Sequence, residues 1–221
     1  MGEAKRRRQA GLEPRSSFRV RVAAIHESGH VLADLHWDVP ILEVYVKRCG
    51  AADACGFTDS DWSLGPTKLM RYANQISQLA GPIADLQYRE SMECDDEELE
   101  ACVTSSYDDF RDIMGREGIP AEEGVRFGRA CFLLYWGMES EVKIRDEKTL
   151  AFTKTLVADT TALVTAYATQ ITDFANTILA APDMKLSQAD VEHWRDRRFK
   201  KLSLEQPSAF LSQETPKMQN G

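Results

Sequence analysis

A chain of 221 residues with 43% hydrophobic content can bury one domain core, and its net charge of -8 disfavours general nucleic-acid binding. No apolar run approaches the roughly 18 to 20 residues of a membrane span, and the polar, basic start lacks the apolar stretch of a secretory signal. Neither a nucleic-acid nor a membrane partner is therefore expected.

The cysteines Cys49, Cys55, Cys94, Cys102 and Cys131 are odd in number and contain no C-x-x-C pair. They read as free thiols, which places the protein in the cytoplasm. Residues 1–16 carry Lys5, Arg6, Arg7 and Arg8 with Gly11 and Pro14, and read as a flexible basic arm. Residues 17–198 form the expected domain, and 199–221 a polar, disordered tail.

The first helix is expected from a cap at Ser16 or Ser17 to about His36 or Trp37, ahead of Pro40. Ile41 to Arg48 alternates and reads as a strand, and Ala54 to Thr58 as a second, shorter one. A helix starting at Pro66 carries Leu69, Tyr72, Ile76, Leu79, Ile83 and Leu86 on one face, with a kink expected at Pro82. The acidic run Glu93 to Glu100 reads as a solvated loop. Ser106 and Asp109 fit a capping pattern at the next helix start. Further helices are expected from Pro120 to Trp136, from Glu139 to Leu179, and from Leu186. The fold class is mainly α, with a small two- or three-stranded β element beside the first helix.

That first helix contains His26-Glu27-Ser28-Gly29-His30, an H-E-x-x-H pattern. Residues four apart share a helix face, so His26 and His30 can place two imidazole nitrogens on one metal ion. Glu27 sits beside them as a candidate general base. The flanks, Val22, Ala23, Ile25, Leu32 and Leu35, are those of a buried helix. Polar groups in such a helix are costly unless something compensates them, and a cation would.

A catalytic zinc needs a third protein ligand. His36 has the sequence offset of some zincins, but Ala33 stands where they need a helix-breaking glycine. A continuing helix would turn His36 away from the metal. Glu90 and Glu93 qualify by position only. Asp109, flanked by Asp108 and Asp112, would be held rigidly in a first helical turn, or would simply cap its helix. The residues alone leave these alternatives open.

The ordered motifs resemble those of the FtsH-type, AAA-linked zinc metalloprotease family, over roughly residues 18 to 195. Ala24-Ile25-His26-Glu27-Ser28-Gly29-His30-Val31 is similar to the family's AYHEAGHA helix. Ala54-Cys55-Gly56-Phe57-Thr58 is similar to its ALGYT segment, and Leu79 to Asp85 to its LAGRAAE helix. Tyr107-Asp108-Asp109-Phe110 is similar to its SNDL segment. The resemblance implies a helical, zincin-like peptidase domain binding Zn2+ through His26, His30 and Asp109, with Glu27 as general base. It also implies an extended protein or peptide substrate along Cys55, Gly56 and Phe57, and possible homo-oligomers.

The family's ATPase and membrane segments have no counterpart in these residues. An ATP-independent peptidase would cut unfolded or flexible proteins, or substrates delivered by a separate unfoldase or adaptor. The rival expectation is a non-catalytic zinc-binding protein-interaction module of the same fold.

Overall fold

The computed structural model describes residues 15–49, 53–63, 67–94, 96–114 and 121–203. The first helix, α1 (Arg15–His36), leads into β1 (Ile41–Arg48) and β2 (Ala54–Ser60). Four helices follow: α2 (Lys68–Ser91), α3 (Asp96–Ser105), α4 (Tyr107–Met114) and α5 (Ala121–Tyr135). A 3-10 turn (Glu139–Glu141) precedes the long α6 (Glu147–Ala180). A second turn (Pro182–Met184), β3 (Lys185–Ser187) and α7 (Gln188–Arg198) complete the order. The class is the expected one, mainly α with a small antiparallel sheet, ordered β2-β1-β3.

α1 packs against α2 and α6 and is covered by β1 and β2. This explains why Val20, Ala24, Val31, Leu32, Ala33 and Leu35 are all buried although they do not share one stripe. Gly29 allows the crossing with α2, since a Cβ there would lie 2.5 Å from the carbonyl oxygen of Ala80. Along α6, Phe152, Leu156, Leu163, Tyr167, Ile171, Phe174 and Ile178 repeat at helical spacing and close the core.

The strand register matters most for the site. Val44 pairs with Thr58, Tyr45 with Phe57, and Val46 with Gly56. Val44 and Val46 are fully buried. Because side chains alternate across a sheet, Thr58 and Gly56 share that inner face toward α1. Tyr45 and Phe57 meet on the outer face with their rings tilted by 37°, centroids 5.6 Å apart.

Several local expectations need correction. The acidic run is not a loop, because Asp96–Ser105 is helical. Carboxylates suit a helix N-terminus, and Cys102 and Val103 anchor the helix in the core. Ser106 makes no side-chain cap; its Oγ is buried with no hydrogen-bond partner among the described residues. α2 holds Pro82 inside one helix, and its cap is Thr67, whose Oγ1 accepts from the Met70 N–H at 3.1 Å. α6 starts at Glu147 rather than Glu139, because Asp146 caps it by accepting from the Thr149 N–H at 2.7 Å.

Cys49 and Cys55 form a disulfide across the end of the β1–β2 hairpin, which corrects the reading of five free thiols. Cys94, Cys102 and Cys131 are free. Residues 199–203, expected in the tail, are packed. Phe199 stacks on Tyr167, and the Leu202 N–H donates to the Tyr167 hydroxyl at 2.9 Å. The basic run Lys5 to Arg8 and residues 204–221 lie outside the described residues. Among the described residues, no helix is long and apolar enough to cross a membrane.

Candidate metal centre

His26 and His30 stand on the face of α1 that looks into a cleft of about 740 Å3. Their Nε2 atoms are 3.1 Å apart. Asp109, in the first turn of α4, completes the group. Its Oδ2 is 3.2 Å from His26 Nε2, and its Oδ1 is 3.6 Å from His30 Nε2. One ligand atom from each residue lies within 4.8 Å of the others. Phe110 and Ile113, both buried, hold α4 in place, with Phe110 edge-to-face on Phe132 of α5.

The ring of His30 is oriented from behind. Its Nδ1 lies 2.8 Å from the carbonyl oxygen of Ser77. That carbonyl can only accept, so Nδ1 carries the proton and Nε2 presents its lone pair to the site. Gly81 makes the room, since a Cβ there would fall 2.3 Å from His30 Nε2.

Burial opposes a charge on His26, yet the hydrogen bond and charge of Asp109, with Glu27 and Asp85, lift its pKa from 6.5 to about 9. Burial also acts against the Asp109 carboxylate, but the two histidines hold its pKa below the usual value. Two imidazoles and a carboxylate thus surround a point that favours positive charge. The donors are those of a zinc site built from two histidines and one carboxylate, and the cleft leaves one side open.

Glu27 is 5% exposed, and its Oε2 accepts from the Thr58 hydroxyl at 2.7 Å. Burial raises its pKa, while His26, His30 and Thr58 pull the other way. Gly56 lies against the same side chain; a Cβ there would meet Glu27 Cγ at 2.4 Å. The edge strand β2 therefore both seats Glu27 and walls the cleft. Cys55, Gly56 and Phe57 all line it, although the Phe57 ring turns to the outer face and is 48% exposed.

The other candidates for third ligand are elsewhere. His36 Nδ1 is 2.9 Å from the Tyr167 hydroxyl. Glu90 accepts from Tyr135 at 2.8 Å and from the Trp136 indole at 2.6 Å. Glu93 has a φ of 51° in the turn after α2. Asp108 pairs with Arg111 at 3.0 Å. Asp112 lines the cleft without joining the cluster.

Sequence reasoning missed Thr58, Ser77, Gly81 and Asp34. Strand alternation from Gly56 could have found Thr58. The carbonyl role of Ser77 leaves no side-chain signal to read. No family model matches the chain, and the curated proteins contain no match to it.

Proposed function

We propose that this protein is a zinc-dependent endopeptidase acting on unfolded or flexible protein segments. The observation that carries the reading is the meeting of His26, His30 and Asp109 from two separate helices, with Glu27 seated beside them by Thr58. The order of motifs that resembles the FtsH-type peptidases supports the same assignment. His26, His30 and Asp109 would hold the ion. When bound, zinc lowers the pKa of its water and polarises a carbonyl.

The chain's own residues do the rest. Glu27, with its pKa raised by burial, accepts a proton at Oε1 or Oε2 and returns it to the leaving amine. Thr58 keeps the carboxylate aimed at the cleft. β2 is an edge strand beside the cleft, so an extended substrate can add to it through backbone hydrogen bonds. Such pairing reads backbone more than side chain and suits unfolded segments, whether free or delivered by an unfoldase or adaptor. A homo-oligomer is compatible with this use of the cleft. Nucleic acid is not a partner in this reading.

The Cys49–Cys55 disulfide removes the free-thiol argument for a cytoplasmic location. Protein trapped by alkylation in cells should show three thiols, and five would return the chain to a reducing cytoplasm.

The defining test is metal content alongside cleavage of casein. Wild type should carry about one zinc per chain. Glu27→Gln should keep the zinc and lose cleavage by on the order of 10²- to 10⁴-fold. Asp109→Ala should lose zinc, and His36→Ala should not. Zinc without any difference between wild type and Glu27→Gln would leave the non-catalytic zinc-binding interaction module instead.

A further inference from the structure

A covalent bond borders the cleft. The disulfide Cys49–Cys55 joins the residue after β1 to the second residue of β2, and both cysteines line the cleft. Cys49 is exposed and Cys55 half-buried. In the β1–β2 register, Lys47 stands opposite Cys55 and Arg48 opposite Ala54. Both cations are exposed, and Lys47 Nζ lies 5.5 Å from the centre of the Tyr45 ring. A cation beside a sulfur favours thiolate over thiol and so makes that sulfur the better leaving group in exchange. The neighbouring Asp53 brings the opposing charge, and its Oδ1 is engaged by the Ala54 N–H at 3.1 Å.

The bond fastens the part of β2 that matters for the cleft. β2 is an edge strand, with β1 on one side only. Gly56 follows Cys55 directly, and its backbone lies so close to Glu27 that a Cβ would meet Cγ at 2.4 Å. A shift of this end of β2 therefore alters both the wall behind Glu27 and the edge offered to an extended peptide. His26, His30 and Asp109 belong to α1 and α4.

We propose that Cys49–Cys55 is a thiol–disulfide switch on peptide binding. Oxidised, it holds the substrate edge of β2 in place; reduced, it lets that end of the strand fray while the three candidate metal ligands stay together. Its effect on turnover rests on the peptidase reading of the centre beside it. The reductant is a dithiol. One of its thiolates attacks Sγ of the exposed Cys49, the S–S bond breaks, and Cys55 leaves as a thiolate beside Lys47 and takes a proton. The second thiolate of the reductant then displaces Cys49, which is protonated in turn. Two electrons and two protons pass to the cysteines, and the dithiol becomes a disulfide.

Hydrogen exchange read by mass spectrometry tests the strand itself, in zinc-loaded protein before and after reduction by a dithiol and desalting. Alkylation should count three thiols before and five after. Fragments covering 54–58 should exchange at least about tenfold faster after reduction, while those covering α1 and α4 change by less than about twofold. Binding is read on Glu27→Gln protein by fluorescence anisotropy with a labelled, unfolded casein fragment. Reduction should weaken it about five- to tenfold, in proportion to the strand no longer docked, with zinc content unchanged. Reoxidation should restore both values. Protein carrying Cys49→Ser and Cys55→Ser should match reduced wild type and ignore the dithiol.

Equal exchange of 54–58 in the two states overturns the switch, as does a dithiol effect that persists in the double variant. In wild type, casein cleavage should slow on reduction through a higher KM. Cleavage that ignores the redox state keeps the peptidase and rejects the switch. Redox-dependent exchange and binding with no cleavage in either state keeps the switch and rejects the peptidase reading.

Discussion

At Gly81, one methyl group decides whether the His30 ring keeps its place beside His26 and Asp109. Alanine there would put Cβ 2.3 Å from His30 Nε2, so the ring would have to leave its position. Alanine is also a better helix former than glycine by about 1 kcal/mol. Gly81→Ala should therefore keep α2 helical by circular dichroism while zinc affinity falls about 10- to 100-fold, read by competition with a chromophoric chelator. Asp34 makes the opposite trade. Burial lifts its pKa from 3.8 to about 6, against the Ser60 and Ser77 hydroxyls and His30. The folded state then binds the proton more tightly than the unfolded state, so this group's contribution to stability falls as pH rises from about 4 to about 6. Asp34→Asn removes that penalty. Chemical denaturation should show it to be more stable than wild type by roughly 1–3 kcal/mol at pH 8, and the gain should vanish near pH 4. A gain independent of pH would reject the electrostatic account.

The site is made where elements meet. α1 supplies the histidines and Glu27, α4 the aspartate, α2 the carbonyl behind His30, and β2 the hydroxyl on Glu27. The β1–β2 register sets Thr58 inward, so a slip of one residue would replace it with an outward-facing neighbour. Thr58→Val keeps the strand and removes one hydrogen bond to the carboxylate. Since that bond favours the charged form of Glu27, its loss should raise the Glu27 pKa. The acidic limb of the pH–rate profile should move to higher pH, and kcat should fall about tenfold with zinc content unchanged. An unmoved limb would mean that Glu27 is not the titrating base. At this scale the sequence was legible for long elements with strong periodicity, such as α1, β1 and α2. It misled at the acidic α3, where charge density resembled a loop although Cys102 and Val103 are buried.

For the whole molecule, the proposed metal binding would be coupled to protonation and folding. Without metal, His26 holds a proton up to about pH 9, and zinc can bind only after that proton leaves. Zinc binding at pH 7 should release about one proton from this group, measured by calorimetry in buffers of different ionisation enthalpy. Its apparent affinity should weaken about tenfold per unit as pH falls below 9. In the metal-free protein, the raised His26 pKa contributes stability that is present below about 6.5 and lost as pH rises through about 9. Melting of chelator-treated protein should therefore drop across that interval, and zinc-loaded protein should not follow it.

From sequence alone, the pairing of His26 with His30 and the place of Glu27 beside them could be read, because a four-residue interval on a helix is local geometry. The small sheet next to that helix could be read too, from the alternation of Ile41 to Arg48. Tertiary structure brought Asp109, and not His36, Glu90 or Glu93, within reach of the two histidines. It also turned Thr58 onto Glu27 and put the Ser77 carbonyl behind His30. Those outcomes depend on how α4 docks through Phe110 and Ile113 and how α1 crosses α2 at Gly29. Helical periodicity governs neighbours within a turn or two, whereas groups roughly eighty residues apart meet only when the packed core holds their elements together.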